Sequence, residues 1–328
     1  MDYAPSERPR LLVVVDTEEE FPWDQPHSRA NTSVTSMAAI GVGQAVFDQF
    51  AVKPTYVIDF PVASQADGYG PLEGIVGSGR CVIGAHLHPW VTPPLTEALS
   101  ARNSFPGNLE KELEQVKLSC LTETIEQTFG RPTIYKAGRY GVGPNTAGIL
   151  EALGYDIDLS PTPGYSYAQE GGPDFFRHPC SPYWFSGRER LCIPCTGGFV
   201  GRLRRFGGSL YPVMTSRLGD RLHCGGVASR LGLLERIRLS PEGFTLSELK
   251  KLTHQLLHSQ HLRTFTLSFH SPSLKPGCTP YVQDKADLKQ FLATIEGYLD
   301  YFLNDLKGLA VTPAQLKSDL QVTPDHNC

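Results

Sequence analysis

The chain has 328 residues, of which 40% are hydrophobic and 20% are charged, and its formal net charge is −4. This composition is typical of an ordinary globular protein. The small negative charge gives no basic footprint for nucleic acid, so we predict no nucleic-acid partner.

The sequence carries no pattern of a membrane span or a leader peptide. No stretch approaches 18 uninterrupted apolar residues, and the opening MDYAPSERPR lacks the apolar core of a signal peptide. We therefore predict a cytoplasmic protein whose eight cysteines are free thiols. Cys192 and Cys195, with Cys180 and Cys224 on either side, leave a structural zinc site as a less favoured alternative. The basic residues Arg202, Arg204, Arg205, Arg217 and Arg221 indicate a solvated face or the edge of a site for an anionic substrate.

Short apolar runs alternate with helical patterns along the chain. We predict strands at 11–15, 54–58, 81–90, 133–136, 155–159, near 191, at 264–269 and near 309–312. We predict helices at 37–50, 108–129, 144–154, 245–259 and 284–306, the second with Leu109, Leu113, Val116, Cys120 and Ile125 on its apolar face. Residues 91–107 and 160–240 have few periodic signals and indicate irregular insertions. Seven or eight strand–helix units predict a parallel sheet and a closed or nearly closed (β/α) barrel, with residues 1–328 as one domain.

Polar residues stand where the predicted strands end. They are Asp16, His86, His88, Lys136, Arg139, Asp158 and His270. The ends of parallel barrel strands gather on one face, so these side chains are expected around one site. His86 and His88 are two apart in an extended segment and point to the same side, where they can hold one cation; loop histidines bound to water or carbonyls are the alternative.

The acids that follow the first strand are harder to separate. Glu18, Glu19 and Glu20 belong either to a solvated turn or to a site, and we expect two of the three to be solvated. The neighbouring Phe21, Pro22 and Trp23 favour a cleft over an open surface.

With these residues in place, the chain resembles the polysaccharide deacetylase, or NodB-homology, family, and within it the WalW-like branch. The matching stretches are VDTEEEF (15–21), PTYVID (54–59), GAHLHPW (84–90), YKAGRYG (135–141), GYDIDLSPTP (154–163) and LSFHSPSLKPGCTPYV (267–282). The resemblance implies a distorted (β/α) barrel. It also implies a hydrolase that removes an acyl group, first of all N-acetyl, from an amino sugar or glycan intermediate in bacterial surface-polysaccharide synthesis.

The resemblance also implies a role for each candidate residue. Asp16 would be the general base and His270 the general acid, while Glu18, His86 and His88 would bind a divalent metal ion, with zinc the first expectation. Lys136 or Arg139 would brace the base, and Asp158 would belong to a later aspartate motif. A backbone N–H near Tyr140 would help to hold the oxyanion, and Trp90 would stack on a sugar ring or pack in the core.

Two departures from the family pattern leave other functions open. The chain has Asp-Thr-Glu where the family has two adjacent aspartates, and its two histidines are two apart instead of four. A metal-independent amidohydrolase acting on a small cyclic amide or ureide is one alternative. A carbohydrate-binding protein that keeps the barrel but has lost turnover is the other.

Overall fold

The computed structural model describes residues 8–186, 189–216, 221 and 223–322. The strands are β1 Arg10–Thr17, β2 Thr55–Ile58, β3 Val82–Leu87, β4 Ile134–Ala137, β5 Ile157–Asp158, β6 Tyr183–Phe185, β7 Arg190–Cys192, β8 Gly197–Val200, β9 Glu235–Arg238, β10 Thr264–His270 and β11 Leu309–Ala310. The α-helices are Ile40–Gln49, Phe60–Ser64, Ala66–Gly77, Lys111–Phe129, Thr146–Leu153, Gly207–Met214, Cys224–Arg230, Leu246–Ser259, Lys285–Asp300 and Pro313–Val322. Arg217 of the predicted basic cluster lies outside the described residues.

The main sheet has the order β10-β1-β2-β3-β4-β5-β7-β6, and β11 also pairs with β1. Its strands run parallel except β6, which is antiparallel to β7. Within the described residues, the two ends of the curled sheet form no direct ladder. Thr196 and Leu239 lie between them, and both accept hydrogen bonds from backbone N–H groups of β10. The predicted distorted (β/α) barrel is therefore confirmed, and the sheet curls into a half-barrel instead of the closed or nearly closed barrel that the sequence predicts.

The alternation of side chains along each strand divides the core in two. Leu11, Val13 and Val15 of β1 point outward and pack against the surrounding helices. Leu12 and Val14 point inward and meet Leu316 of the C-terminal helix, which fills one end of the barrel. Asp16 continues the inward row, so the strand that builds the core also aims this carboxylate into the barrel.

The predicted face of the helix Lys111–Phe129 differs from the observed face. Val116 is 51% exposed, whereas Glu114, Lys117, Leu118 and Leu121 are buried. Lys117 turns inward because its ammonium donates to the carbonyl oxygens of Pro89, Thr92 and Pro94. Hydrogen bonds to the loop 89–94 therefore determine which face of the helix is buried, in addition to the apolar pattern.

The predicted insertions contain more regular structure than their sequence indicates. Within 160–240, β8 and β9 form a separate two-stranded sheet, flanked by the helices Gly207–Met214 and Cys224–Arg230. Residues 91–107 hold two short 3₁₀ segments, Arg102–Ser104 and Pro106–Asn108. None of the described helices is both long and apolar enough to cross a membrane.

Candidate active site

A cavity of about 930 Å³ opens at the carboxyl ends of the parallel strands. Asp16, His86 and His270 line it, and they come from β1, β3 and β10. Each belongs to the inward-pointing row of its strand, and the alternation of side chains along the strands therefore brings the three together. The cavity extends from this group to a wall of tyrosines and arginines contributed by the insertion 160–240.

Asp16 is held by a buried lysine. The ammonium of Lys136 lies 2.6 Å from each carboxylate oxygen of Asp16, and Lys136 is fully buried. Burial alone would raise the pKa of Asp16, but the charge of Lys136, followed by His86 and His270, brings this pKa below its ordinary value. Asp16 is thus kept as a carboxylate. Of the two cations considered as its brace, Lys136 is the one that contacts it.

His270 is the register partner of Asp16 across β1 and β10. Its Nε2 lies 3.7 Å from Oδ2 of Asp16, and its Nδ1 lies 2.7 Å from Oε2 of Glu242. Glu242 is fixed in turn by the backbone N–H of His270 and the hydroxyl of Ser273, which both donate to Oε1. Glu242 therefore orients the imidazole so that Nε2 faces the cavity.

Glu18, His86 and His88 form a compact donor set. The Nε2 atoms of His86 and His88 lie 3.5 Å and 3.4 Å from Oε2 of Glu18. Both Nδ1 atoms are occupied elsewhere, that of His86 by the Lys136 carbonyl at 3.0 Å and that of His88 by Oε2 of Glu19 at 2.8 Å. Such outer contacts are those that orient metal-binding histidines. The arrangement leaves two imidazole nitrogens and one carboxylate aimed at a common point.

The electrostatics of this donor set favour a cation. Burial and then the carboxylates of Glu19 and Asp16 raise the pKa of Glu18 well above its ordinary value. Oε1 of Glu18 is buried and has no hydrogen-bond partner among the described residues. Burial lowers the pKa of His86 well below its ordinary value and that of His88 to about 4. The imidazoles are therefore neutral, the form that binds metals.

A second layer of buried acids supports the histidines. Glu19 accepts hydrogen bonds from the indole of Trp90 at 2.7 Å and the ring of His88, and its backbone N–H donates to Asp59. Asp59 also caps the helix Phe60–Ser64 through the N–H of Val62. Burial and the neighbouring Glu19 raise the pKa of Asp59 well above its ordinary value. Glu19, Asp59 and His88 form a second cluster of possible ligand atoms.

Aromatic rings and a close backbone approach complete the walls. The ring of Trp23 meets His270 edge-on at 4.9 Å and Tyr281 at 5.6 Å. A Cβ atom on Gly138 would collide with the Leu87 carbonyl and with the ring of His88, so only glycine permits this turn after β4. Arg139 and Tyr140, which follow Gly138, both have positive φ, and this unusual backbone presents their side chains to the cavity.

The other predicted site residues lie in different places. Arg139 lines the cavity but pairs with Glu170, away from Asp16. Asp158 lies on the outer face of β5, because its neighbours Ile157 and Leu159 point inward; its carboxylate bonds Ser160. Burial raises the pKa of Asp158 to about 6. Because side chains alternate along β5, the Asp158 side chain points away from the cavity.

The expectation that two of the three acids at 18–20 are solvated is wrong. Glu18 and Glu19 are buried, and Glu20 is tied to Ser33, Thr35 and Ser36. Glu242 was missed altogether because it follows an irregular segment with no periodic signal. Its spacing of 28 residues from His270 gives no local pattern that would have indicated the contact.

The cysteines show no metal site within the described part of the chain. Cys180 and Cys195 donate to the carbonyl oxygens of Gly197 and Leu159, and every described cysteine is a free thiol. The clusters of possible ligand atoms found among the described residues contain only glutamate, aspartate and histidine.

The sequence matches no protein-family model and no curated protein. Several solved structures are similar over nearly the whole chain. One, from Mycobacterium smegmatis, is assigned as a polysaccharide deacetylase; it is 14% identical, with 98% of this chain and 95% of the other covered and a TM-score of 0.53. Another, from Parabacteroides distasonis, is assigned as a glycoside hydrolase or deacetylase; it is 10% identical, with 98% and 73% covered and a TM-score of 0.61. The 4-alpha-glucanotransferase of Thermococcus litoralis is 11% identical, with 97% and 41% covered and a TM-score of 0.53.

These identities establish a shared fold, and the glucanotransferase shows that one fold carries different reactions. The reaction must therefore be argued from the site. The chain has the distorted (β/α) barrel of the NodB-homology, polysaccharide-deacetylase type, as the resemblance of its motifs implies.

Proposed function

We propose that this protein is a hydrolase that removes an acyl group, first of all N-acetyl, from an amino sugar or glycan intermediate in bacterial surface-polysaccharide synthesis. One observation carries the proposal: the pair Asp16 and His270 stands in the same cavity as the donor set Glu18, His86 and His88. The structures of similar fold that are assigned as deacetylases support the reaction class. We further propose that residues 1–328 act as one domain in the cytoplasm.

A divalent ion, with zinc the first expectation, would be held by Glu18, His86 and His88. Two imidazoles and one carboxylate are a donor set found in catalytic zinc sites. The unpartnered Oε1 of Glu18, buried among other acids, supports the fit. When bound, such an ion supplies a water of lowered pKa and polarises the amide carbonyl.

The chain's own residues would move the protons. Asp16, kept ionised by Lys136, accepts the proton of the attacking water. His270 donates a proton from Nε2 to the nitrogen of the leaving amine, while Glu242 holds the opposite ring nitrogen. The amide C–N bond then breaks, and the products are a carboxylic acid and the free amino sugar.

The sugar would lie against the aromatic wall. Trp23 is partly exposed beside His270, and its ring is available for stacking. Trp90, considered earlier as the stacking residue, is only 1% exposed and is stacked on His27 at 4.0 Å and on His88 at 4.2 Å. Its contacts favour the packing alternative, so Trp23 replaces Trp90 in the proposal.

The test is release of acetate or formate from a panel of acylated sugars and nucleotide sugars, together with metal analysis of the purified protein. Release with a stoichiometric divalent ion supports the proposal. Release without bound metal favours the metal-independent amidohydrolase. Sugar binding with no release from any member of the panel favours the carbohydrate-binding protein.

A further inference from the structure

The wall of the cavity contributed by β9 carries two arginines without acidic partners. Arg236 and Arg238 are two apart in β9 and project to the same side, while Ile237 between them enters the core. Among the residues that the structure describes, neither guanidinium has a carboxylate within 4 Å. Four acids line the cavity, and each faces other groups. Glu18 faces His86 and His88, while Asp16 is bound by Lys136, Glu170 by Arg139 and Glu242 by His270.

Tyrosines surround these guanidinium groups instead. Arg238 donates to the hydroxyls of Tyr140 at 2.9 Å and Tyr167 at 3.1 Å, and its Nε is buried with no partner in the described part of the chain. The guanidinium carbons of Arg236 and Arg238 lie 4.0 Å and 4.1 Å from the ring centroid of Tyr165. Burial raises the pKa of Tyr140 and of Tyr167, so the phenols stay neutral and do not balance the positive charge.

The backbone opposite β9 leaves room for this arrangement. Arg238 is paired with Gly197 of β8, which has no side chain to fill the space beside the guanidinium. A Cβ atom at Gly197 would lie 2.9 Å from the Pro163 carbonyl and 3.5 Å from the ring of Tyr165. Gly197 and the ring of Tyr165 therefore leave space for the Arg238 side chain, which faces the cavity.

Tyr140 links this wall to the catalytic pair. Its ring centroid lies 5.1 Å from Nζ of Lys136 and 5.0 Å from Cζ of Arg238. One substrate molecule can therefore contact Asp16 at one end and the guanidinium groups at the other. Both arginines are partly buried, and positive charge that is partly removed from water without a counter-ion is unfavourable. A ligand oxyanion would stabilise it through charge-assisted hydrogen bonds.

We propose that the Arg236–Arg238 wall is an oxyanion subsite, so that the substrate is an acylated amino sugar bearing a carboxylate or a phosphate group. This inference rests on the proposed function for the reacting end of the cavity. Each guanidinium offers several N–H donors in a plane, the geometry that suits either oxyanion. The hydroxyls of Tyr140 and Tyr167 accept from Arg238 and keep their own protons for donation to the ligand.

Direct binding tests the subsite without requiring turnover. Glucuronic acid, glucose 1-phosphate and glucose are titrated into the intact protein and followed by calorimetry. We expect at least one anionic sugar to bind about tenfold to a hundredfold more tightly than glucose. Preference for glucuronic acid identifies a carboxylate substrate, and preference for the phosphate identifies a sugar phosphate.

Matched variants locate the binding. Arg236→Gln and Arg238→Gln should abolish the preference for the anionic sugar, and Arg238→Lys should retain part of it. Arg131→Gln, at an exposed residue paired with Glu126, should leave it unchanged. Thermal unfolding of each variant shows that it is folded, and Arg236→Gln is a second test if Arg238→Gln is unstable.

The inference would be overturned by equal affinity for charged and neutral sugars, or by a preference that survives both glutamine substitutions. The absence of calorimetric binding by either anionic sugar at about 10 mM would also overturn it. The proposed hydrolysis is judged separately. If the protein binds the anionic sugars but releases no acyl group from any acylated sugar of the panel, the proposed function is wrong and the subsite is retained.

Discussion

Asp16 and His270 are direct neighbours across two parallel strands, and Nε2 of His270 lies 3.7 Å from the Asp16 carboxylate. The strands come from opposite ends of the sequence, and only the sheet order brings them together. Each residue also has its own buried support, Lys136 for Asp16 and Glu242 for His270. The site therefore holds a negative and an imidazole group side by side in fixed orientations.

His270→Ala is expected to lower kcat by about two to four orders of magnitude, the usual worth of a positioned acid–base group. Since His270 lies at the edge of the cavity, the fold should remain intact. Acyl release and thermal unfolding measure the two effects. His254→Ala, which removes an exposed histidine of the helix Leu246–Ser259, serves as the control. Parent-like turnover in His270→Ala would rule out this residue as the acid.

Asp16→Asn should impair stability as well as activity. The substitution leaves Lys136 fully buried with no acidic partner, and removing one member of a buried pair costs about 3–5 kcal/mol. Urea unfolding should show this loss, and kcat should fall by about two to four orders of magnitude. Glu126→Gln, which breaks the exposed pair with Arg131, should cost no more than about 1 kcal/mol.

The double substitution Asp16→Asn with Lys136→Met separates the two effects. The double variant has no unpaired charge at this position. We therefore expect it to regain most of the free energy of unfolding that Asp16→Asn loses, because apolar replacements of buried pairs are often neutral. Activity should stay lost because the base is absent. Recovery of activity along with stability would show that Asp16 acts only as the partner of Lys136.

The proposed metal site predicts that the purified parent protein contains a divalent ion and that His86→Ala and Glu18→Gln each remove it. The donor atoms of Glu18, His86 and His88 converge, and loss of one ligand from such a set weakens binding strongly. Elemental analysis gives the metal content, and His258→Ala is the control because His258 is exposed on a helix. A full complement of metal in both site variants would place the ion elsewhere or exclude this donor set.

The sequence predicts those parts of the site that follow strand parity. Asp16, His86, His88 and His270 lie at the ends of well-patterned strands, and the two-residue period fixes the side to which they point. Asp158 obeys the same period but belongs to a two-residue strand, whose inward face could not be read from sequence. The acids Glu18, Glu19 and Glu20 follow the end of β1, where side chains no longer alternate regularly. The sequence therefore does not predict which of the three points into the cavity.

Hydrophobic periodicity does not predict polar contacts between residues that are distant in sequence. Glu242 supports His270 from an irregular segment, and Lys117 turns into the protein to bind loop carbonyls. Arg236 and Arg238 lie in β9, where the sequence indicated only an insertion. Each of these side chains is placed by partners distant in sequence, which hydrophobic periodicity does not record.

A buried glutamate away from the site gives a prediction about pH. Glu114 is 1% exposed on the helix Lys111–Phe129 and accepts one hydrogen bond, from the hydroxyl of Thr146 at 2.6 Å. Burial raises its pKa from 4.5 to about 7. Because the folded-state pKa lies above that of the unfolded chain, stability from the protonated carboxyl is fully present below pH 4.5 and is lost as the pH rises through 7.

Glu114→Gln should therefore be more stable than the parent at high pH. The amide keeps an acceptor for Thr146 and never ionises, so its advantage should grow by about 3 kcal/mol between about pH 4 and pH 8. Urea unfolding across this range measures the difference. Glu112→Gln, at an exposed position of the same helix, should show no such trend. Parallel stability curves for the parent and Glu114→Gln would mean that this carboxyl titrates alike in the folded and unfolded chains.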